Sequence, residues 1–246
     1  MFTLQFGDYT FPNTTFEVQS YPIMGDVKAN SVPRRHGAII QGNYIKERKF
    51  KVKGYLHNAA ESSTHTELLA LQAALTDGEQ SFKDRADRYI NARLSKFNPT
   101  NEKGTDKAVK EINLELIADD PFFYSIAGTT VNFSATAGTT QFDASNSGNV
   151  FAEPVFSFYA SAGDISDGIK LTNKSKSNEV FQFRGTVADG TTLEVDSSDF
   201  TVENNGVDGL SYYEGDFMGL VAGSNTLEFE GSECEIEITF RPRFTG

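Results

Sequence analysis

The sequence contains few residues of the types that perform covalent or metal chemistry. Its 246 residues include three histidines and one cysteine. His36, His57 and His65 are too few and too scattered for a tetrahedral zinc site, which needs three or four ligands. Cys234 alternates with glutamates in a strand-like segment, which predicts a buried thiol rather than a nucleophile. We therefore expect no catalytic residue, no metal site, no cofactor and no intrachain disulfide.

Carboxylates are more numerous, but their spacing does not suggest catalysis. Asp119 and Asp120 are adjacent, and neighbouring residues of a strand point to opposite faces, so they cannot flank one glycosidic bond. The Asp pairs at 164/167 and 196/199 do not follow the ligand series of an EF-hand. No phosphate-binding glycine loop and no His-Glu-x-x-His motif occurs. A hydrolase is consequently the weakest of the functions considered, and the sequence predicts that the protein is not an enzyme.

Charge is divided unevenly between the two halves of the chain. Residues 1–127 carry 16 basic and 16 acidic side chains, whereas residues 128–246 carry 6 and 18, so the net charge of −12 belongs to the second half. This excess of acid argues against sequence-specific or general nucleic-acid binding, which depends on clustered Lys and Arg.

We expect no membrane span, because no run of about 18 apolar residues occurs, and no signal peptide.

The first half, residues 1–127, predicts a β-rich domain with one helix. Alternating apolar residues predict strands, among them 50–56, 89–97 and 109–118. Residues 24–37 are polar and irregular, which favours a long loop or arm. For the helix, Thr64 and Glu67 suggest a capping box. The apolar stripe is Leu68, Leu71, Leu75 and Ala74, and Gly78 is placed to end the helix.

A long hairpin is predicted between residues 89 and 118, with the polar segment 98–106 as its protruding tip. Its two strands exceed the usual length of about 5–6 residues. Phe97 would be an exposed aromatic residue near this tip. We therefore expect the hairpin to contact a neighbouring subunit, with Phe97, Lys103 and Lys107 as interface residues.

The second half, residues 128–246, predicts a β-sandwich. Residues 128–149 are rich in Gly, Ser, Thr and Ala and are expected to form a linker or a first strand. Short strands at hairpin spacing follow, without a helical period. Residues 227–230 and 234–240 each alternate apolar residues with glutamates, which predicts two paired strands around Gly231. Tyr212 and Tyr213 are candidates for stacking on a saccharide.

Several short segments recur in the order and spacing of a known family. They are the strand 50–56 with the helix Leu68-x-x-Leu71-x-x-x-Leu75 and Gly78; Asp120-Pro121-Phe122-Phe123-Tyr124; Asn146-Ser147-Gly148-Asn149 with Pro154; Leu193-x-Val195-Asp196, Thr201-Val202 and Asn205-Gly206; Phe217-x-x-Leu220-x-x-Gly223-x-Asn225-x-Leu227; and Phe240-Arg241-Pro242-Arg243-Phe244. In this order they resemble the distal tail proteins of long-tailed siphophages, the Dit family, over nearly the full length of the chain.

This resemblance implies a structural protein of the virion tail tip. Residues 1–127 would form a homo-hexameric ring that joins the tail tube protein to the tail-associated hub protein and leaves a channel for DNA. Residues 128–246 would form a galectin-like β-sandwich at the periphery. The alternative is a carbohydrate-binding adhesin that contacts a host-surface saccharide through this sandwich.

Overall fold

A computed structural model of the chain describes residues 3–12, 16–21, 25–31, 38–101 and 108–246. The chain divides into two compact units: the N-terminal unit, Met1–Phe123 with Thr245–Gly246, and the C-terminal unit, Tyr124–Phe244. Antiparallel strands dominate both units, and the one long helix of the described residues lies in the first. This confirms the predicted fold class. No helix in the described part of the chain is long and apolar enough to cross a membrane.

The N-terminal unit is an antiparallel sheet with a helix packed on one face. In chain order its elements are β1 (Gln5–Phe6), β2 (Tyr9–Thr10), β3 (Glu17–Ser20), β4 (Gly25–Ser31), β5 (Ala38–Ile45), β6 (Arg48–His57), α1 (Glu61–Thr76), β7 (Gln80–Lys83), β8 (Arg88–Asn101) and β9 (Val109–Ala118), and β10 (Phe123–Ser125) follows at the boundary between the units. The main sheet has the order β2-β1-β7-β8-β9-β6-β3, and β4 pairs with β5 in a separate hairpin.

The strand β6 shows why the two faces of this sheet differ. Phe50, Val52 and Leu56 are fully buried on one face, and the residues between them are mainly lysines that point to the other. β9 pairs with β6 along its whole length and repeats the pattern with buried Ile112 and Leu116. The buried face packs against the helix, so the lysine-bearing face is left open.

The predicted N-terminus of the helix is wrong, whereas its C-terminus is confirmed. The helix begins at Glu61, with Ala60 at the N-cap position and without a side-chain cap. Thr64 therefore lies inside the helix, where it is buried and donates its hydroxyl to the carbonyl oxygen of Ala108 over 2.6 Å. Leu71 and Leu75 are buried, and Gly78 adopts a left-handed φ of 82°, as expected of a residue that ends a helix.

Two predicted loops contain strand residues. β4 occupies residues 25–31 and pairs with β5, so the prediction of a loop or arm is wrong for this segment. β8 continues to Asn101, and Pro99 lies opposite Ile112, so residues 98–101 belong to the hairpin's ladder rather than to its tip. A bulge between Leu94 and Lys96 shifts the register just before this extension.

The C-terminal unit is a sandwich of two antiparallel sheets. Its elements are β11 (Thr129–Ala135), β12 (Gly138–Asn146), β13 (Val155–Tyr159), β14 (Ile169–Asn173), β15 (Glu179–Phe183), β16 (Thr192–Asp196), β17 (Thr201–Asn204), β18 (Val207–Asp208), a 3-10 turn (Leu210–Tyr212), β19 (Tyr213–Gly215), β20 (Gly223–Gly231), β21 (Cys234–Phe240) and β22 (Arg243–Phe244). One sheet has the order β11-β21-β13-β16-β17-β18 and the other β12-β20-β14-β15-β19. The predicted sandwich is thus confirmed.

One predicted pairing in this sandwich is wrong. β20 and β21 do not pair with each other: β20 lies between β12 and β14, whereas β21 lies between β11 and β13 in the opposite sheet. The short connection after Gly231 carries the chain from one sheet to the other. Both strands still place their apolar residues in the core, where Phe229 of β20 stacks on Phe158 of β13 with ring centroids 6.2 Å apart.

Candidate interaction surfaces

Of the predicted interface residues, the structure describes Phe97, while Lys103 and Lys107 lie outside the described residues. Phe97 is half-buried, not exposed as expected from the sequence, and sits opposite buried Leu114 on the helix-facing side of the sheet. Its neighbours Lys96 and Asn98 point to the open side and are exposed. Its contact with a neighbouring subunit remains a prediction.

The open side of the sheet forms a surface that we call the lysine face, which consists of Lys49, Lys51, Lys53 and Lys96. Strand pairing sets Lys51 opposite Glu115 and Lys53 opposite Asn113, and Lys96 opposite Glu115 from the other side. A cleft of about 250 Å³ is lined by Lys49 and Lys51 together with Tyr21. A smaller one, about 110 Å³, is lined by Lys51, Lys53 and Lys96.

Lys51 lies at the centre of the lysine face. Its ammonium group is 5.5 Å from the centre of the Tyr21 ring and 3.7 Å from the carboxylate of Glu115. The pKa of Lys51 is raised, first by its hydrogen bond to Tyr21 and then by the charges of Tyr21 and Glu115. Lys51 therefore stays charged at physiological pH, and an anionic surface would complement the lysines of this face.

No catalytic arrangement is found among the described residues. His57 at the end of β6 and His65 on α1 are both exposed, and His36 lies outside the described residues. No group of three or more His, Cys, Asp or Glu residues in the described part could hold a metal ion. Cys234 is 1% exposed, and burial raises its pKa to about 12. A thiol in this state is not a nucleophile at neutral pH.

The paired aspartates serve structural purposes. Asp119 forms an ion pair with Arg93 at 2.7 Å, whereas Asp120 accepts a hydrogen bond from the backbone N–H of Phe122 over 3.2 Å. Asp196 accepts from the backbone of Ser198 and Asp199 and so closes the turn after β16. These contacts assign the carboxylates to turns and an ion pair.

The six-stranded sheet has a strongly acidic outer face, which we call the acidic face. Its members are Glu194, Asp196, Glu203, Asp208, Glu235 and Glu237. Glu203 lies directly between Glu194 and Asp208 on the neighbouring strands, and such like-charged neighbours destabilise a sheet. The five-stranded sheet differs, because Lys170 pairs with Glu230 and Lys174 with Glu228, each at 2.6 Å.

The tyrosines proposed for saccharide stacking lie in different environments. Tyr213 is half-buried and stacks on Phe217, with centroids 4.8 Å apart, and on Phe181, at 5.5 Å. Its hydroxyl donates to the carbonyl oxygen of Asp216, and burial raises its pKa above the ordinary value. Tyr212 is 56% exposed and touches Phe183 with its edge. One exposed ring alone does not favour the adhesin alternative.

Three buried asparagines, Asn146, Asn173 and Asn225, hold turns of the C-terminal unit, and only Asn146 and Asn225 lie in the segments of the resemblance. Asn173 donates to the side-chain oxygen of Asn225 over 3.1 Å and to the carbonyl of Gly219. Asn225 also accepts from the backbone of Val221. Asn146 donates to the carbonyl oxygens of Val150 and Leu220 and accepts from the N–H of Gly148. For Asn146 and Asn225 the nearby Gly148 and Gly223 are the signal that could have identified them, whereas the turn after Asn173 contains no glycine.

Gly148 is required by the same arrangement. A Cβ atom at this position would collide with the backbone oxygen of Arg243 and would lie 2.7 Å from its nitrogen. Arg243 is buried, binds Glu153 at 2.6 Å and lies over the rings of Phe151 and Tyr124. The recurring segments around residues 146–149 and 240–244 are therefore in direct contact.

Comparison with known proteins gives a family match for part of the chain and a fold match for nearly all of it. Residues 147–244 match the family model for the C-terminal domain of the siphovirus-type tail component. The chain also has the fold of SPP1 Dit (gp 19.1), described as a paradigm of the hub adsorption apparatus in phages infecting Gram-positive bacteria. The TM-score is 0.75 and the identity 15%, over 98% of both chains. No curated protein matches the sequence.

Two structures of the phage P2 baseplate in its activated conformation, with Ca and with Sr, are more distantly similar. Their TM-scores are 0.42 and 0.41 at 6% identity, over 96% of this chain and 90% of theirs. Similarity at this level supports no functional conclusion. The family match covers residues 147–244, the larger part of the C-terminal unit. The resemblance to the Dit family is thus supported by the family model in residues 147–244 and by the shared fold over 98% of both chains.

Proposed function

We propose that the protein is a structural component of the tail tip of a long-tailed phage. In this role it assembles as a hexameric ring that joins the tail tube protein to the hub of the tail tip and leaves a channel for DNA. The observation that carries the proposal is the shared fold with SPP1 Dit, which extends over 98% of both chains and includes both units.

The residues of the chain support a structural rather than an enzymatic role. Asp120 closes a turn, Asp119 forms an ion pair with Arg93, and Cys234 lies in the core. The exposed polar groups instead cover broad sheet faces, which suit protein–protein contacts better than a small substrate. We assign the protein to the virion tail tip, with the tail tube protein and the tail-associated hub protein as partners.

The distribution of charge supports ring closure by the N-terminal unit. This unit contains equal numbers of acidic and basic residues, whereas the C-terminal unit carries the whole excess of acid. Neutral units can approach one another in a closed ring without collective repulsion. The β8–β9 hairpin is the proposed intersubunit contact, because its polar side, with Lys96 and Asn98, is exposed.

The test is the state of assembly of the full chain. Size-exclusion chromatography with light scattering should give a particle of about six times 27.0 kDa, and negative-stain electron microscopy should show rings with an open centre. A chain that remains monomeric up to high micromolar concentration, with and without its tail-tube partner, would contradict the proposal.

A further inference from the structure

The two sides of the sandwich in the C-terminal unit end in very different strands. On one side the sheets end in β18, with two residues, and β19, with three. On the other side they end in β11, with seven residues, and β12, with nine. A long edge strand presents a row of unpaired backbone groups, and short edge strands are a common protection against pairing. Only the first side has this protection.

The side chains of β11 do not protect its edge either. Its sequence, from Thr129 to Ala135, contains no charged residue and no proline. Lysine, proline and inward-pointing charges are the devices that normally prevent edge-to-edge association. The neighbouring edge strand β12 contains a single charge, Asp143, which accepts a hydrogen bond from Thr226 within its own sheet. In the described part of the chain, no strand pairs with the free edge of β11.

β11 is complementary to itself in one antiparallel register. When Asn132 lies opposite Asn132 of a second copy, Val131 faces Phe133, Thr130 faces Ser134 and Thr129 faces Ala135. All seven residues are paired, each apolar residue meets an apolar or small one, and no charge is opposed. Val131 and Phe133 are half-buried at the open edge, so this pairing would cover them.

We propose that β11 pairs with β11 of a second copy of the chain, antiparallel about a two-fold axis at Asn132. The six-stranded sheets of the two copies then form one continuous sheet. The strand that pairs with this edge is β11 of a second copy rather than a strand of another protein. In the register centred on Asn132, the side chains on both faces of β11 meet compatible side chains of the second copy.

The acidic residues beside the edge are compatible with this pairing. Glu237 lies opposite Asn132 on β21, so the Glu237 residues of two copies would be three strand spacings, about 14 Å, apart. This distance exceeds the Debye length of about 8 Å at physiological salt. Their repulsion is therefore weak under these conditions.

This contact goes beyond the proposed ring and is independent of it. A two-fold contact uses the same patch on both copies, whereas a cyclic ring is built from head-to-tail contacts between different patches. β11 pairing would therefore join copies that are not neighbours in one ring. Loss of the strand contact would leave the ring intact, and a protein that forms no ring could still form the two-fold dimer.

Disulfide crosslinking of the full chain tests the register. In the variant Asn132→Cys, the two thiols would lie on Cα atoms about 4.5–5.5 Å apart, which is within disulfide range. The control Thr130→Cys is exposed on the same side of the same strand, but its two copies would lie about 14 Å apart, which is too far. The native Cys234 is buried, so the unmodified chain gives the baseline.

Mild oxidation followed by non-reducing electrophoresis should give more than about five times as much linked dimer for Asn132→Cys as for Thr130→Cys. An equimolar mixture of the Thr130→Cys and Ser134→Cys chains should also crosslink, because these positions face each other in the proposed register. Equal crosslinking of Asn132→Cys and Thr130→Cys, at background or above it, would overturn the proposal. Circular dichroism would verify that each variant is folded.

Discussion

The side-chain amide of Asn173 donates a hydrogen bond to the side-chain oxygen of Asn225 over 3.1 Å, and both residues are fully buried. Asn173 ends β14 and Asn225 lies in β20, two strands that pair in the five-stranded sheet. Each amide also binds backbone groups of the segment between residues 219 and 223. The pair thus fixes an irregular segment to the ends of two regular strands.

Replacement of Asn225 by Ala should destabilise the C-terminal unit. The change removes the acceptor of the backbone N–H of Val221 and one of the two acceptors of the Asn173 amide, which keeps the carbonyl of Gly219. Unsatisfied buried groups cost about 1–3 kcal/mol each, so the free energy of unfolding should fall by at least that amount in urea denaturation. Gln141→Ala is the control, because Gln141 is exposed and binds only at the surface; its effect should stay within about 0.5 kcal/mol. Equal effects of both changes would refute the assigned role.

Gly148→Ala should also be destabilising, for a steric reason. The added methyl group would overlap the backbone of Arg243, and overpacking of this kind costs about 1–3 kcal/mol. Gly128→Ala is the matched control, since its Cβ would meet only the carbonyl oxygen of Phe240 at 3.9 Å. Thermal unfolding of the two variants should show a clear loss for the first and little change for the second. The opposite order would show that the backbone at Arg243 yields.

These positions illustrate what the sequence could and could not predict. Alternation in β20 and β21 correctly predicted two strands with apolar residues toward the core, because side-chain direction follows from a period of two. It could not predict their neighbours, since a strand of either sheet directs its apolar face to the same core. The short connection at Gly231 looked like a hairpin turn and is a crossing between sheets.

The start of the helix and the role of the buried asparagines could not be predicted for a related reason. Thr64 has the residue type and the spacing to Glu67 of a capping box, but its hydroxyl binds Ala108, 44 residues away. Glu67 accepts the hydroxyl of Tyr9 over 2.7 Å instead. Non-local partners of this kind leave no periodic trace in a sequence. The buried asparagines likewise bind segments that are distant in the chain. Only Asn146 and Asn225 lie in the recurring motifs, and no pattern in the sequence indicated Asn173.

Glu203→Gln should stabilise the C-terminal unit. The substitution removes the charge between Glu194 and Asp208 on the acidic face, and directly opposed like charges cost about 0.2–1 kcal/mol. The gain in the free energy of unfolding should shrink as salt screens the charges. Glu230→Gln is the control, because Glu230 has a cationic partner in Lys170 and should gain nothing. A gain for Glu203→Gln that is unchanged by high salt would exclude charge repulsion as its cause.

Phe97→Ala separates the proposed interface role of Phe97 from a role in the core. Phe97 is half-buried, whereas Leu114 opposite it is 2% exposed. If Phe97 itself contacts a neighbouring subunit, the variant should raise the concentration at which the hexamer half-dissociates by about tenfold or more. The unfolding free energy should fall less than in Leu114→Ala, for which about 2–5 kcal/mol is expected. A hexamer as stable as that of the unmodified chain would remove Phe97 from the interface.

The dependence of assembly on ionic strength tests which of the two units forms the contacts that close the ring. Each C-terminal unit carries an excess of 12 carboxylates, whereas the N-terminal unit is neutral, so the acidic units repel one another in any oligomer. Repulsion between exposed charges weakens as the Debye length falls from about 10 Å at 0.1 M salt to about 3 Å at 1 M. If the N-terminal units close the ring, light scattering of the full chain should show that assembly is favoured or unchanged as salt rises from 0.1 to about 0.5 M.

The charge-reduced variant Glu194→Gln with Glu203→Gln should shift this dependence toward lower salt. Dissolution of the hexamer by moderate salt would instead indicate that attraction between charges, for example between the lysine face and the acidic face of different copies, holds the ring together.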